Sequence, residues 1–516
     1  MNNMRVSTNG GLVTENWFDL NASRYTASST LQRMELLKTG YMGTLSLGWD
    51  NYLFLELTGR QERSSTLKDQ SFFYPSANLS FLFSNAFRMP AWWNHGKLRL
   101  SYGVVGNAPE TYAANIIYEQ GSDHGFTWNY VPSSWGNANI RPEKKYEYEI
   151  GFESKFLNNR LGFDVSYYNN RVKDQILSTP QPSTSGVKYV LMNVGEVANE
   201  GWDISVSATP VLTKNFRWDL TANYGIYRNK VVKLADGVPY LEISNIGGGG
   251  AKIQAVEGRP MGDIYVQVPQ MNENGEYLVS DKGLYMNQTE LQRVGNINPD
   301  GVGGLFSSFS YKNIFLDFSI DFRIGGDVIN EMYQYSTASG LTPESLQFRD
   351  TEHGGLSYYY PGNNNASGVP VQVDPSLGAG PNGETVYHDG VILPGVVAST
   401  GEKNTRIIPA GYYYNQTYNW GTQPEQLTYR HSVFDNSYVK LRELTIGYQF
   451  PEKLISKLGM TRLSVSVFGR NLFYFYKALK NYDAESSVGT SWASQAVVGG
   501  STTATRNFGV SLRASF

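Results

Sequence analysis

Leu161, Phe163, Val165 and Tyr167 alternate with Gly162, Asp164, Ser166 and Tyr168, and this period-two pattern constrains the chain more than any other feature. An apolar residue at every second position requires an extended strand with one face in apolar surroundings. The pattern recurs in Trp202, Ile204, Val206 and Ala208, and in residues 146–153. It returns in Leu316, Phe318, Ile320, Phe322 and Ile324 against Asp317, Ser319, Asp321 and Arg323, and in Leu463, Val465 and Val467. Several runs reach the ~9–11 residues with which a tilted strand crosses a bilayer, whereas soluble strands have a mode of ~5–6. No apolar run approaches the ~18 residues of a membrane helix, so any crossing must be made by strands.

The connections sharpen this reading. Short turns at 50–51, 157–159, 210–215 and 312–313 alternate with long connections at 105–143, 171–199, 231–302 and 325–436. Tight turns on one side and large loops on the other are the arrangement of an outer-membrane barrel. A propeller would show a repeated blade, and no internal repeat is found. We therefore expect an all-β fold, a transmembrane antiparallel β-barrel with long extracellular loops. The count is about thirteen strands, near 41–49, 52–62, 76–84, 97–104, 144–156, 160–170, 199–209, 216–230, 303–311, 313–324, 437–450, 461–470 and 505–516. Single-chain bacterial barrels have even strand numbers, so the odd count calls for a weak strand in residues 1–40, around Trp17 to Leu20, or for strands upstream. Residues 1–40 are expected as a truncated segment, loop or weak strand, and 41–516 as barrel. The start carries no basic end followed by an apolar core, and the reading expects a signal peptide to be absent. The last strand alternates Phe508, Val510, Leu512, Ala514 and Phe516 with polar or small residues and ends on an aromatic ring.

Composition removes other classes. Lys plus Arg (43) nearly balances Asp plus Glu (46), so no basic face for nucleic acid is implied. The absence of Cys excludes disulfides, thiolate metal sites and cysteine nucleophiles. His95, His124, His353, His388 and His431 are scattered without metal-site spacing. Residues 301–304 (GVGG) precede a strand and do not open a helix, so they do not form a phosphate loop. Asn272 to Glu276 is too short for a calcium loop, and its Asn-Gly step is a hairpin turn signal. No enzyme, metal or cofactor is expected.

From residue 40 to the end the chain resembles the C-terminal part of the SusC-like (RagA-like) TonB-dependent transporters of the Bacteroidetes outer membrane. The matching segments occur in that family's order: 97–107 (KLRLSYGVVGN), 141–144 (RPEK), 158–164 (NNRLGFD), 173–177 (KDQIL) and 193–196 (NVGE), followed by 258–262 (GRPMG), 298–301 (NPDG), 324–327 (IGGD), 439–443 (VKLRE) and 469–472 (GRNL). The resemblance implies a barrel of 22 strands around a plug, of which this chain supplies the C-terminal portion, with the plug and signal peptide absent from it. It further implies import of an oligosaccharide or peptide with a SusD-like surface lipoprotein, driven by TonB-ExbB-ExbD through the missing plug. The alternatives are a passive porin-like channel and a surface glycan-binding protein.

Loop aromatics are the candidate substrate-binding residues: Trp128 and Trp135 in one loop, and Tyr358, Tyr359, Tyr360, Tyr413 and Trp420 in another. Rings stack on the apolar faces of sugars, although the same rings would also serve to anchor loops to each other. Arg323, Arg462, Arg470 and Arg513 lie on strands, where they suit either lumenal charge or ion pairs with Asp317, Asp321 or Glu443.

Overall fold

Period-two alternation becomes thirteen consecutive antiparallel strands, each hydrogen-bonded to the next. The computed structural model describes residues 2–67, 71–123, 126–419, 428–500 and 504–516. The strands are Lys38–Trp49, Leu53–Ser64, Ser71–Phe81, Trp93–Asn107, Glu143–Phe156, Leu161–Pro180, Tyr189–Leu212, Phe216–Lys233, Gly301–Tyr311, Ile314–Ile324, Tyr438–Gln449, Arg462–Lys477 and Asn507–Ser515. All thirteen expected strands are present. The segment Ser134–Trp135 adds a short parallel pairing to Tyr189–Val190 at one margin. The short turns rest on residues that tolerate positive φ, among them Asp50 (46°), Asn51 (56°), Asn158 (58°) and Asn159 (63°).

Register separates the two faces of this wall. Ile150 stands opposite Tyr167 and Phe152 opposite Val165, while Tyr167 stands opposite Trp202 and Val165 opposite Ile204. These rows form the lipid-facing side. Rings gather near the tight-turn end, where Trp93 lies 5.4 Å from Phe156 and 5.5 Å from Phe83. At the other end Tyr167 and Trp202 are 4.9 Å apart. Both sets suit the aromatic belts of a bilayer interface. Ser166, Asp203, Asp164 and Ser205 occupy the opposite, lumenal face.

Two expectations change. Residues 171–199 are not a long loop: the Leu161–Pro180 and Tyr189–Leu212 strands continue to pair as far as Pro180 opposite Tyr189, leaving only 181–188 to connect them. Above the bilayer neither face needs to be apolar, so the alternation fades while the ladder persists. In residues 1–40, Trp17 to Leu20 lie between two strands and do not form one. Asn2–Leu12 and Ser23–Arg33 make a hairpin of their own, separate from the wall.

The long connections fold into small sheets. The connection 234–300 holds the four-stranded sheet Tyr240–Ile246, Ala251–Val256, Asp263–Val266 and Gln292–Asn296. The Asn272 turn closes a tight hairpin, with Gly275 at φ 80° and Met271 bridged to Tyr277. The connection 325–437 holds a second four-stranded sheet and the helices Glu331–Ala338 and Ala410–Tyr418. These connections are joined to each other. Leu278–Val279 pairs in parallel with Val396–Val397. Asp327–Asn330 lies between Val433–Asp435 and Val497–Val498, the latter from the connection 478–506. One buried cluster draws Ile253, Ile264 and Val266 from the first connection, Ile329 and Tyr429 from the second, and Ala493, Ala496 and Val497 from the third. Burying such side chains contributes roughly 1.5–3 kcal/mol each, so the loops form a single packed mass above the wall.

Candidate functional site

The segments quoted for the family resemblance, far apart in sequence, meet at two nodes on the outer rim. At the first, Asn193 makes three hydrogen bonds: its Oδ1 accepts from the Arg141 N–H at 2.7 Å, and its Nδ2 donates to the carbonyls of Arg141 and Asp174 at 2.8 Å each. Arg141 also pairs with Asp174 at 2.7 Å, and Glu143 accepts from the Ile176 N–H at 2.8 Å. At the second, the fully buried Asp263 carboxylate receives Arg259 at 2.5 Å and Arg293 at 2.9 Å, with Asn296 Nδ2 at 2.9 Å. Asn298 Nδ2 donates to the Met261 carbonyl at 2.7 Å. Arg323 reaches the carbonyls of Ile297 and Gly325 at 3.0 and 3.2 Å. Glycine is required here: a Cβ on Gly262 (φ 93°) would stand 2.8 Å from Ile297, and one on Gly326 (φ 80°) would stand 2.3 Å from Arg323.

Next to the second node, the loop carrying Glu485 closes on the wall. Arg442 pairs with Asp321 and, at 2.5 Å, with Glu485, which also takes the buried ammonium of Lys440. Lys440 further sits 4.7 Å over the Tyr474 ring, and the Tyr474 hydroxyl donates to Asp483 at 2.6 Å. Burial alone would raise the Glu485 carboxyl. The hydrogen bonds from Arg442 and Lys440 outweigh it and hold this group below the usual glutamate range. Lower in the wall, Arg99 meets Asp164 at 2.5 Å and Glu153 at 3.4 Å on the lumenal face. Arg99 and Asp164 border an open cleft of about 650 Å3 that also involves Asp203, Ser205, Asn223 and Tyr224. Such a surface presents water-compatible charge and hydrogen-bonding groups to a polar solute. Sequence reading missed both arrangements. Lys440, Asp321 and Arg99 lie on the polar parity of their strands, which marks their face but not their partners, and Arg442 falls at a bulge between Leu441 and Glu443. Of the strand arginines singled out from sequence, Arg470 pairs with Glu443 at 2.9 Å, whereas Arg323 binds carbonyls.

The loop aromatics divide. Tyr358 is 1% exposed; its ring stacks on Tyr387 at 5.4 Å, meets Tyr360 edge-on at 5.6 Å, and its hydroxyl donates to Asp389 at 3.1 Å. Tyr360 is buried in the same cluster. Both rings are taken up by the loop's own packing, which suits them to anchoring the loop. Burial, followed by the charge of Asp389, pushes both phenols above their ordinary range. Tyr359 is half-buried beside them. Tyr413 packs on Tyr414 at 5.0 Å and against the cluster of Leu284, Val391 and Ile408, so it joins two connections. Trp128 lies across Gly121 on the Phe126–Tyr130 strand and is 47% exposed. Trp135 is half-buried on Ser134–Trp135, and among the described residues its buried indole N–H has no hydrogen-bond partner. Trp420 lies outside the described residues. Among the described residues no ring contact joins Trp128 or Trp135 to the tyrosine group. The histidines are likewise dispersed: His95 faces Glu153 at 3.6 Å, His353 meets Asp350 at 2.8 Å, His388 shares a 2.8 Å contact with Ser357, and His431 packs on Tyr418. His124 lies outside the described residues. Among the described residues no group of three metal-ligating side chains converges.

Residues 5–264 match the family model described as TonB dependent receptor-like, beta-barrel. TonB-dependent receptor P3 of Formosa agariphila is 22% identical over 494 residues, covering 87% of this chain and 42% of the relative. TonB-dependent receptor SusC of Bacteroides thetaiotaomicron is 27% identical over 256 residues, 43% of this chain and 24% of the relative. The chain thus spans less than half the length of the curated relatives it matches. Among solved structures, the RagAB peptide transporter superposes with a TM-score of 0.70 at 17% identity, over 98% of this chain and 50% of that one. The RagAB peptide importer in its 'open-open' state gives 0.66 at 18% identity, over 96% and 48%. These likenesses fix the fold, and the family model fixes the kinship: the chain belongs to the TonB-dependent receptor-like β-barrel family of the outer membrane.

Proposed function

We propose that the chain supplies barrel wall and extracellular loops to a SusC/SusD-like importer that takes up an oligosaccharide or peptide across the outer membrane. The observation that carries this reading is the fusion of three long connections into one packed extracellular mass above a polar, charged lumenal face. A passive pore needs no such superstructure, whereas an importer that captures solute before admitting it does. Kinship with SusC, and likeness in fold to a protein named as a peptide transporter, support the two substrate classes. In this reading a surface lipoprotein covers the loops, TonB-ExbB-ExbD supplies the energy, and no bond is made or broken. Trp128, half-exposed on its strand, is the loop aromatic best placed to meet solute.

The test is uptake of labelled oligosaccharides and peptides by cells with and without the intact gene, before and after collapse of the proton gradient. Uptake that needs both gene and gradient supports the reading. Uptake indifferent to the gradient, together with ion conductance in planar bilayers, would replace it with a passive channel. Surface binding of glycan without uptake would replace it with a glycan-binding protein.

A further inference from the structure

The outward-facing row Leu161, Phe163, Val165, Tyr167 continues upward as Asn169, Arg171 and Lys173 on the same strand. Register sets Tyr148 beside Asn169, Tyr146 beside Arg171 and Lys144 beside Lys173, with Tyr102 beside Tyr148 on the other flank. Three tyrosines therefore floor a cleft of about 210 Å3 whose upper border is Arg171 and Lys173. The Lys173 ammonium stands 6.0 Å from the centre of the Tyr146 ring. From Leu161 to Arg171 a strand rises roughly 33 Å, or about 25 Å along the membrane normal at a tilt near 40°. That is the height of the apolar band, so the cations lie where the head groups of the outer leaflet begin. Tyrosines directly beneath them occupy the interfacial belt.

Charge at this height is unbalanced. Lys144 and Lys173 are directly opposed across the ladder, an arrangement that repels. Among the described residues neither has a carboxylate partner. The carboxylates on the same face are engaged on the neighbouring strand: Glu196 with Arg171 at 3.2 Å, and Glu200 with the Tyr167 hydroxyl at 3.2 Å. A cationic cluster above a ring-floored cleft is complementary to a group that carries negative charge on an apolar stem.

We propose that this cleft binds the phosphorylated head group of an outer-leaflet lipid. The phosphate sits against Arg171 and Lys173 at the cleft's border, with Lys144 across the ladder from Lys173, which relieves the opposition of the two lysines, while the tyrosine rings pack against the head group's carbon skeleton and first acyl carbons. The site lies on the outside of the wall and is independent of what the barrel imports.

The experiment places the intact outer-membrane protein that carries this chain in nanodiscs containing either a bis-phosphorylated glycolipid or its dephosphorylated counterpart, and counts retained lipid by native mass spectrometry. The pair Arg171→Gln and Lys173→Gln is expected to lower retention of the phosphorylated lipid about tenfold or more. Lys145→Gln, on the lumenal face where Lys145 pairs with Glu147 at 2.6 Å, is expected to leave retention unchanged. Lys173→Glu supplies a variant that does not depend on tolerance of lost charge: it pairs with Lys144, so it is expected to melt no lower than the parent while losing the lipid. Equal retention of phosphorylated and dephosphorylated lipid, or retention unaltered in the double variant, overturns the proposal. Displacement of the lipid by millimolar inorganic phosphate assigns the site to the free anion and overturns the lipid as occupant.

Discussion

Lys440 places its ammonium, 2% exposed, against the carboxylate of Glu485, a residue of the connection 478–506 and not of the wall. The pair fastens an extracellular loop to the barrel rim. Removing one partner of a buried pair leaves the other charge desolvated and costs up to about 3–5 kcal/mol, less here because Arg442 shares Glu485 and the carboxylate is partly exposed. Glu485→Gln is therefore expected to lower hydrogen-exchange protection across 478–500 by tenfold or more while the Arg462–Lys477 strand stays protected. Unchanged protection in that loop would show that the pair does not hold it.

Acid should act in opposite directions at two neighbouring places. Glu485 titrates below its ordinary range, so its contribution is complete above the unfolded value and is lost as pH falls through the folded one. Asp327 is raised, by burial first, against the opposing Asn296 N–H, and its folded state binds a proton more tightly than its unfolded state. Stability from Asp327 therefore falls as pH rises from the unfolded to the folded value. Hydrogen exchange followed from neutral pH to below the ordinary carboxylate range should show the segment around Asn296 tightening as pH falls through the raised Asp327 value, and 478–500 loosening only once pH drops below the ordinary glutamate range. Parallel loosening of both segments would contradict the assigned environments.

Under the proposed function Tyr358 anchors a loop and Trp128 meets solute. Tyr358→Phe leaves Asp389 without its donor in a packed cluster and is expected to cost about 1–3 kcal/mol, read as reduced protection of 356–391. Trp128→Ala is expected to change stability by no more than about 0.5 kcal/mol yet weaken solute capture. If Tyr358→Phe is stability-neutral, or Trp128→Ala leaves capture intact, the division of roles drawn here fails.

Gly262→Ala places a methyl group 2.8 Å from Ile297 and 2.9 Å from Trp492 at a φ of 93°. A cost above about 1 kcal/mol is expected, since the conformation and the space both oppose it. The readout is faster proteolysis between the Gln292–Asn296 strand and the Gly301–Tyr311 strand. Gly258→Ala, with open space around the added carbon but φ 81°, should cost less.

Lys38–Trp49 and Asn507–Ser515 each pair with the wall on one side only among the described residues. Open strand edges leave backbone donors and acceptors unmet in lipid, so this chain produced alone in detergent is expected to self-associate. A monodisperse, heat-modifiable species in sizing chromatography would count against that expectation.

The wall was legible in the sequence because its rule is local. Lipid on one side and water on the other impose period two, and Leu161 to Tyr167 state it without reference to any distant residue. The tight turns were legible for the same reason, since Asp50, Asn51 and Asn158 tolerate a left-handed backbone. Legibility ended where apolar surroundings ended: the ladder from 171 to 199 continues without alternation, and the hairpin at Asn2–Arg33 flanks the residues that looked most strand-like. The nodes could not be read at all. Asn193 reaching Arg141, and Asp263 gathering Arg259 and Arg293, depend on which connections come together above the wall, and no spacing in the chain encodes that. Likewise Tyr358 and Trp128 are equivalent as letters. Only packing decided that the first is consumed inside a loop while the second keeps an open face, because burial is a property of the neighbours that a ring acquires and not of the ring.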